Sequence, residues 1–182
     1  MYDLQVEYRL SRFQDHDIMS VEAVAKIFVE EIDDFVEVAT AIGYMFKTTD
    51  GLRWTDVLED LDAISSSVLQ IGRRLADRFG DAYVEGGLIL DHLKIKSEYR
   101  NRGIGTAFVN QLIEDMTYLG VDLIGLIPGY HANPSKEQNK LNIRLIAFYK
   151  RLGFELLKSQ KHSESRVMGR RVETFLLGDE LF

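Results

Sequence analysis

The sequence predicts an α+β fold: a mixed, mostly antiparallel central sheet flanked by helices. Three observations point to it. Apolar residues alternate at period two through the first third of the chain, recur at spacings of three and four further on, and form a short unbroken run between two helical stretches. The 182 residues are 46% apolar and 28% charged, the balance of one compact domain.

From Leu4 to Phe13, LQVEYRLSRF sets Leu4, Val6, Tyr8 and Leu10 on one face, as a half-buried strand requires, and Gln14 to Asp17 reads as a turn. Val21, Ala23, Ala25, Ile27 and Val29 alternate with Glu22, Lys26 and Glu30, giving a second strand. Asp33 and Asp34 supply the next turn. Phe35 to Lys47 is rich in β-branched and aromatic residues and forms a third strand, so the first third is a meander.

After a turn at Thr49 to Gly51, Val57, Leu61, Ile64, Val68, Ile71, Leu75 and Phe79 recur at spacings of four and three. This predicts one long amphipathic helix, Asp56 to Phe79, with Thr55 or Asp56 as N-cap and Gly80 closing it. Strand composition returns over Ala82 to Lys96. A helix from about Gly103 to Leu119 follows, stopped by Gly120, and Val121 to Ile127 reads as a short strand buried on both faces. The loop holding Pro128 and Pro134 leads to a helix over roughly Lys140 to Leu152, ended by Gly153. Two strands, near Phe154 to Ser159 and Val167 to Leu177, finish the chain.

Composition excludes several classes of function. With 22 basic and 29 acidic residues the net charge is -7, which lacks the global footprint of a nucleic-acid or anionic-membrane binder. The absence of cysteine excludes a disulfide framework, thiolate catalysis and sulfur-ligated zinc. No apolar run approaches the roughly 20 residues that span a bilayer, and MYDLQVEYRL is unlike a secretory signal, so a cytoplasmic setting is expected. No metal is expected either.

The informative stretch is Ser97 to Phe108, SEYRNRGIGTAF, where Arg100, Arg102, Gly103 and Gly105 stand at a strand-to-helix turn. Glycines allow close backbone approach, the first turn of the helix offers unpaired N–H groups and the positive end of its dipole, and the arginines add cationic donors. A phosphate site is the natural reading. It is neither a P-loop, because Thr106-Ala107 follows Gly105, nor a Rossmann fingerprint, because Phe108 stands where a small third residue belongs.

Arg100-Asn101-Arg102-Gly103-Ile104-Gly105, preceded by Leu90-Asp91-His92-Leu93-Lys94-Ile95, resembles the Arg/Gln-x-x-Gly-x-Gly/Ala coenzyme-A motif of the GCN5-related N-acetyltransferase (GNAT) superfamily. About forty residues on, the run from Asn142 to Phe154, NIRLIAFYKRLGF, resembles that family's Asn-x-x-Ala-x-x-Leu-Tyr-x-Lys-Leu-Gly-Phe helix. The likeness covers about Leu88 to Glu155. It implies a GNAT-like fold; since the family usually carries one or two helices between its first two strands, either the second strand read here is a helix or the chain has a variant N-terminal half. It also implies one acetyltransferase domain over 1–182, in which residues 1–80 form a variable N-terminal half, 81–157 an acetyl-coenzyme A-binding core and 158–182 a C-terminal strand region.

The resemblance further implies an N-acetyltransferase moving an acetyl group from acetyl-coenzyme A to a primary amine, on a small molecule or a protein, by direct attack in a ternary complex. The backbone of Ile95 and Lys96 would pair with the pantetheine arm, and the amides of Arg100, Asn101, Arg102, Gly103, Ile104, Gly105 and Thr106 would hold the pyrophosphate. Tyr149 falls on the family's tyrosine, which protonates the departing thiolate; the competing reading is a core residue packed beside Phe148. Asn142, two helical turns before Tyr149 on the same face, would contact the cofactor or else cap its helix.

Asp91, His92 and Glu85 are the candidate general bases, the imidazole being suited by its unperturbed pKa of ~6.5. Tyr130, His131 and Asn133 lie in a long loop that reads as one wall of the acceptor cleft. The acidic positions Glu30, Glu31, Asp33, Asp34 and Glu37 offer attraction for a cationic acceptor or a solvated hairpin rim. The rival class is a noncatalytic acyl-coenzyme A-binding module, and an interaction domain with an accidental motif is a third. The long helix either packs wholly on the sheet or shares its stripe with a second subunit in a homodimer.

Overall fold

The computed structural model describes residues 3–13, 17–47, 53–80, 83–129, 135–158 and 166–172. Three strands open the chain: β1 (Leu4–Arg12), β2 (Ile18–Val29) and β3 (Asp34–Lys47). Helices α1 (Trp54–Ile64) and α2 (Ser66–Phe79) follow, then β4 (Gly86–Ile95), α3 (Ile104–Tyr118), β5 (Leu123–Leu126), α4 (Lys136–Arg151), β6 (Glu155–Leu156) and β7 (Met168–Arg171). Among the described residues, seven strands form one sheet in the order β1-β2-β3-β4-β5-β7-β6, in which β4 and β5 are the one parallel pair. The α+β mixed sheet read from the sequence, with its opening meander, is the observed architecture.

The alternation that predicts β2 also places it. Val21, Ala23, Ala25 and Ile27 are buried on one face, joined by Ala39, Ala41 and Met45 of β3 and Leu88 and Leu90 of β4. Helix α3 covers this face with Ile104, Phe108, Val109, Leu112, Ile113 and Met116, and α4 adds Tyr149 beside Leu152 and Phe154. On β1, Leu4, Val6 and Tyr8 pack against the same cluster, whereas Leu10 remains 39% exposed. The second face is covered by α1 and α2, whose Val57, Leu61, Val68, Ile71, Leu75 and Phe79 meet Phe46, Ile89 and Leu123.

The expected single helix from Asp56 to Phe79 is two helices, broken at Ser65. Ser65 is extended (φ -168°, ψ 159°), and its hydroxyl accepts from the Val68 amide at 3.2 Å, capping α2. The apolar spacing runs on through the break, which hid it, but Ser65-Ser66-Ser67 marked it, because serine competes for backbone donors and favours caps over helix interiors. Of the expected C-terminal strands, β6 and β7 are shorter, and residues 173–177 lie outside those described, as do 14–16 of the first expected turn.

Helix α2 comes close to the sheet because Gly125 of β5 and Gly169 of β7 are cross-strand partners without side chains. A Cβ at Gly125 would lie 2.7 Å from both Ile71 and Leu75. Leu75 is fully buried in this notch, where truncation to alanine typically costs about 2–5 kcal/mol. Asp122 fastens the starts of β4 and β5 to the end of β7: its carboxylate accepts from the Glu85 and Gly86 amides, and its carbonyl accepts from the Val172 amide at 2.8 Å. No helix among the described residues is long and apolar enough to cross a membrane.

Candidate functional site

The site forms where the parallel pair comes apart. Strand β5 pairs with β4 only from Gly87 to Leu90, opposite Leu123 to Leu126, while β4 continues beside β3 alone as far as Ile95. The Lys96 amide donates to the Val38 carbonyl at 2.9 Å on the β3 side. Peptide groups of alternate residues point to opposite edges of a strand, so those of Leu93 and Ile95 face the edge that β5 has left. Of the expected pair Ile95 and Lys96, Ile95 therefore lies on the open edge, together with Leu93. The sequence reading missed Leu93, although strand alternation was the signal for it.

A bulge marks the point of separation. Ile42 opposes His92 and Gly43 opposes Leu90, which leaves Asp91 as the extra residue of β4. Its carboxylate meets His92 Nδ1 at 2.8 Å, with side-chain exposures of 21% for Asp91 and 75% for His92. When Nδ1 donates to the carboxylate, Nε2 is left as the acceptor. Glu85 precedes the other end of β4, roughly 20 Å from Asp91 at ~3.3 Å per residue, and is not brought to the same place.

Past Ile95 the chain makes a tight turn into α3. Asn101 has φ 57° and Gly103, the N-cap of α3, has φ 83°, a left-handed conformation that favours glycine. Among the described residues, a Cβ at Gly103 would meet nothing within 4 Å and no side chain caps the helix, which leaves the first-turn amides without a capping side chain. Gly105 lies inside the first turn, where a Cβ would sit 3.7 Å from Ile95 and from Phe148. That contact is ordinary, so packing against α4 does not demand a glycine at 105.

Between Lys94 and Thr106, Lys94, Lys96, Arg100 and Arg102 stand against Glu98, a local balance of 4 - 1 = +3 on a chain of net charge -7. Arg100 folds back, its Nε donating to the Ile95 carbonyl at 3.0 Å, while Arg102 lies 5.9 Å from the centre of the Tyr99 ring. Thr106 is exposed and Ile104 is 1% exposed, anchoring the turn in the core.

Helix α4 starts a turn earlier than expected. Ser135 Oγ accepts from the Gln138 amide at 3.3 Å, and Gln138 Oε1 accepts from the Ser135 amide at 2.8 Å. Asn142 therefore sits inside the helix and does not cap it. Asn142 and Tyr149, seven residues apart, are the buried residues of α4. Asn142 lies against Gly129, just beyond β5, where any side chain at 129 would collide with its amide oxygen.

Tyr149 makes edge contacts with Phe148 and Phe154 at centroid distances of 5.0 and 5.6 Å. Burial pushes its pKa up to about 12, and no hydrogen bond engages its hydroxyl among the described residues. The expected loop residues Tyr130, His131 and Asn133 lie outside the described residues.

The structure thus defines a protein class: an α+β sheet whose one parallel pair separates beside an uncapped, locally basic helix start. Residues 68–156, just under half the chain, match the family described as the acetyltransferase (GNAT) domain. No curated protein matches the sequence. Among solved structures, the chain is similar to a mosquito arylalkylamine N-acetyltransferase-like protein 5b, with 14% identity, TM-score 0.49 and coverage of 83% of this chain and 74% of that one. It is similar to PaiA N-acetyltransferase of Thermoplasma acidophilum, solved with coenzyme A, at 15% identity and TM-score 0.43, covering 86% of this chain and 62% of that one. It is also similar to the ribosomal-protein-S18-alanine N-acetyltransferase of Escherichia coli, at 12% identity and TM-score 0.45, covering 98% and 99%.

Proposed function

We propose that the chain binds acetyl-coenzyme A along the open edge of β4 and transfers its acetyl group to a primary amine. The observation that carries this reading is the backbone edge of β4 that has no strand partner, at Leu93 and Ile95, ending at the first turn of α3, which no described side chain caps. An amide-bearing pantetheine arm suits the first and a pyrophosphate the second. Acetyl-coenzyme A supplies the acetyl group as a thioester.

The chain's own groups move the protons. Asp91, directly or through His92, takes a proton from the incoming ammonium group, leaving a neutral nitrogen to form the new C–N bond. As the C–S bond breaks, the Tyr149 hydroxyl gives its proton to the sulfur, so the products are an amide and free thiol. A phenol held protonated by burial is suited to that donation. Asn142 positions α4 against the end of β5, and Arg102 adds positive charge beside the phosphates.

The test is unfolding with and without acetyl-coenzyme A, together with thiol release on adding amines. Ligand at 100 times its dissociation constant stabilises by about 2.7 kcal/mol, an upward shift of several degrees. Because the chain has no cysteine, every thiol detected comes from the cosubstrate. Stabilisation without thiol release across a broad amine panel would instead support the noncatalytic binding module.

A further inference from the structure

Among the described residues, the face of the sheet under α1 and α2 is partly covered, and its margin leads to Asp91. Tyr44 and Phe13 are partly buried and pack against the apolar cluster beneath those helices. Their rings meet edge to face with centroids 6.1 Å apart. Burial raises the pKa of the Tyr44 phenol, and the charge of Asp91 raises it further, which makes the two side chains electrostatic neighbours. Ile42, opposite His92 on the adjoining strand, is 42% exposed. Carboxylate, imidazole, aliphatic surface and two aromatic rings therefore follow one another from β4 across β3 to Phe13, which follows β1 and reaches Tyr44 past the intervening β2.

We propose that the acceptor is an amine on an apolar or aromatic stem, its ammonium group meeting Asp91 and its stem lying along Ile42, Tyr44 and Phe13. This rests on the acetyltransferase reading. Glu22, exposed on the same face opposite Ile42, has Arg9 of β1 as its other cross-strand partner, whose opposite charge offsets it, so a second ammonium along the stem would lose hydration against the rings with little counter-charge to gain. The acidic tip formed by Glu30, Glu31, Asp33 and Asp34 does not alter this. It follows β3 in the other direction, and the eight residues from Ile42 to Asp34 span roughly 25 Å at ~3.3 Å each. Glu37, midway between them, already faces Lys96, its Oε1 3.8 Å from Nζ.

The test is calorimetry on the chain saturated with coenzyme A, a complex that cannot turn over, titrated with propylamine to hexylamine, phenylethylamine and spermidine. Affinity is expected to rise about threefold to fourfold per methylene. Tyr44→Ala should flatten the series and weaken phenylethylamine at least tenfold; Tyr44→Phe should keep it, and Phe13→Ala should weaken hexylamine more than propylamine. A flat series in the wild type, tighter binding of spermidine than of hexylamine, or an unchanged series in Tyr44→Ala overturns the proposal. Thiol release measured in parallel separates the two readings: turnover without stem dependence removes this site and keeps acetyl transfer, whereas stem-dependent binding without turnover does the reverse.

Discussion

Between Gly87 and Leu90, β4 has a strand on each side and is buried throughout; between Asp91 and Ile95 it has β3 alone, and His92 and Lys94 are exposed. The first half is held by backbone ladders on both edges, the Asp122 clamp at its start and α2 pressed onto Gly125. The second half keeps one edge of peptide groups without a strand partner. A buried unpaired peptide group is costly, so such an edge needs solvent or a ligand. Rigidity below and free hydrogen-bonding capacity above are thus arranged along one strand, which is how a site gains precision without a closed core around it.

The largest expected effect breaks the open half alone. Gly103→Glu puts a side chain at φ 83° and a carboxylate where the first-turn amides open, adding strain of about 1–2 kcal/mol and repelling phosphate. Calorimetry should show acetyl-coenzyme A affinity falling by more than about 100-fold, the equivalent of ~2.7 kcal/mol. The fold should persist by circular dichroism, because nothing packs on that position. Unchanged affinity would mean that the helix start is not the phosphate site.

Next in size is Tyr149→Phe. If the hydroxyl is a proton donor, kcat should fall about 100-fold, the lower end of general acid catalysis, with acetyl-coenzyme A affinity held within about twofold. Loss of affinity with unchanged kcat would make Tyr149 a packing residue, as its ring contacts alone would allow.

The closed half predicts the complementary pattern. Asp122→Ala removes a 5% exposed carboxylate and leaves the Glu85 and Gly86 amides without their acceptor, which costs about 1–3 kcal/mol. In a chain of this size that is roughly 2–4 °C of Tm per kcal/mol. Thermal unfolding should show this, while ligand affinity stays within about twofold. A larger change in affinity than in stability would show that the two halves of β4 are coupled.

These two halves were unequally legible in the sequence. The strands of the meander announced themselves through alternation, because each buries one face, and the helix start through glycines at a strand-to-helix turn. Asp91 and Tyr149 were visible as residue types within matched motifs. The bulge was not, since a single extra residue in β4 depends on its register with β3. Tyr44 and Phe13 were also hidden as candidates for the proposed acceptor site, because both lie far from the motif in sequence: Tyr44 comes near Asp91, and Phe13 against Tyr44, only when the sheet forms. Asp122 was lost for a different reason: a short polar residue before an apolar strand reads as loop until its long-range amide partners are known.

The smallest effect compares two phenols, the half-buried Tyr8 with a hydrogen-bond partner and the buried Tyr149 with none among the described residues. Tyr8 of the edge strand donates to Asp115 Oδ2 of α3 at 2.6 Å, and Asp115 also accepts from Gln111 at 2.9 Å. Burial raises the Tyr8 pKa well above its ordinary value, with the Asp115 hydrogen bond and charge adding to it, whereas burial alone raises that of Tyr149. Both folded-state values lie above the unfolded value near ~10, so the folded chain holds protons that the unfolded chain releases. That contribution to stability is present in full below about pH 10 and is lost progressively as pH rises toward the folded-state values. Urea unfolding from pH 8 to 11 should therefore show stability falling at the alkaline end. Tyr8→Phe should shrink the alkaline loss but weaken the protein at pH 8 by about 1 kcal/mol, the net worth of its hydrogen bond. Tyr149→Phe should shrink the loss with little change at pH 8, because it removes no bond among the described residues. If the alkaline loss survives Tyr149→Phe at full size, that phenol ionises as freely in the folded chain as in water, and a buried proton donor at the open half of β4 is excluded.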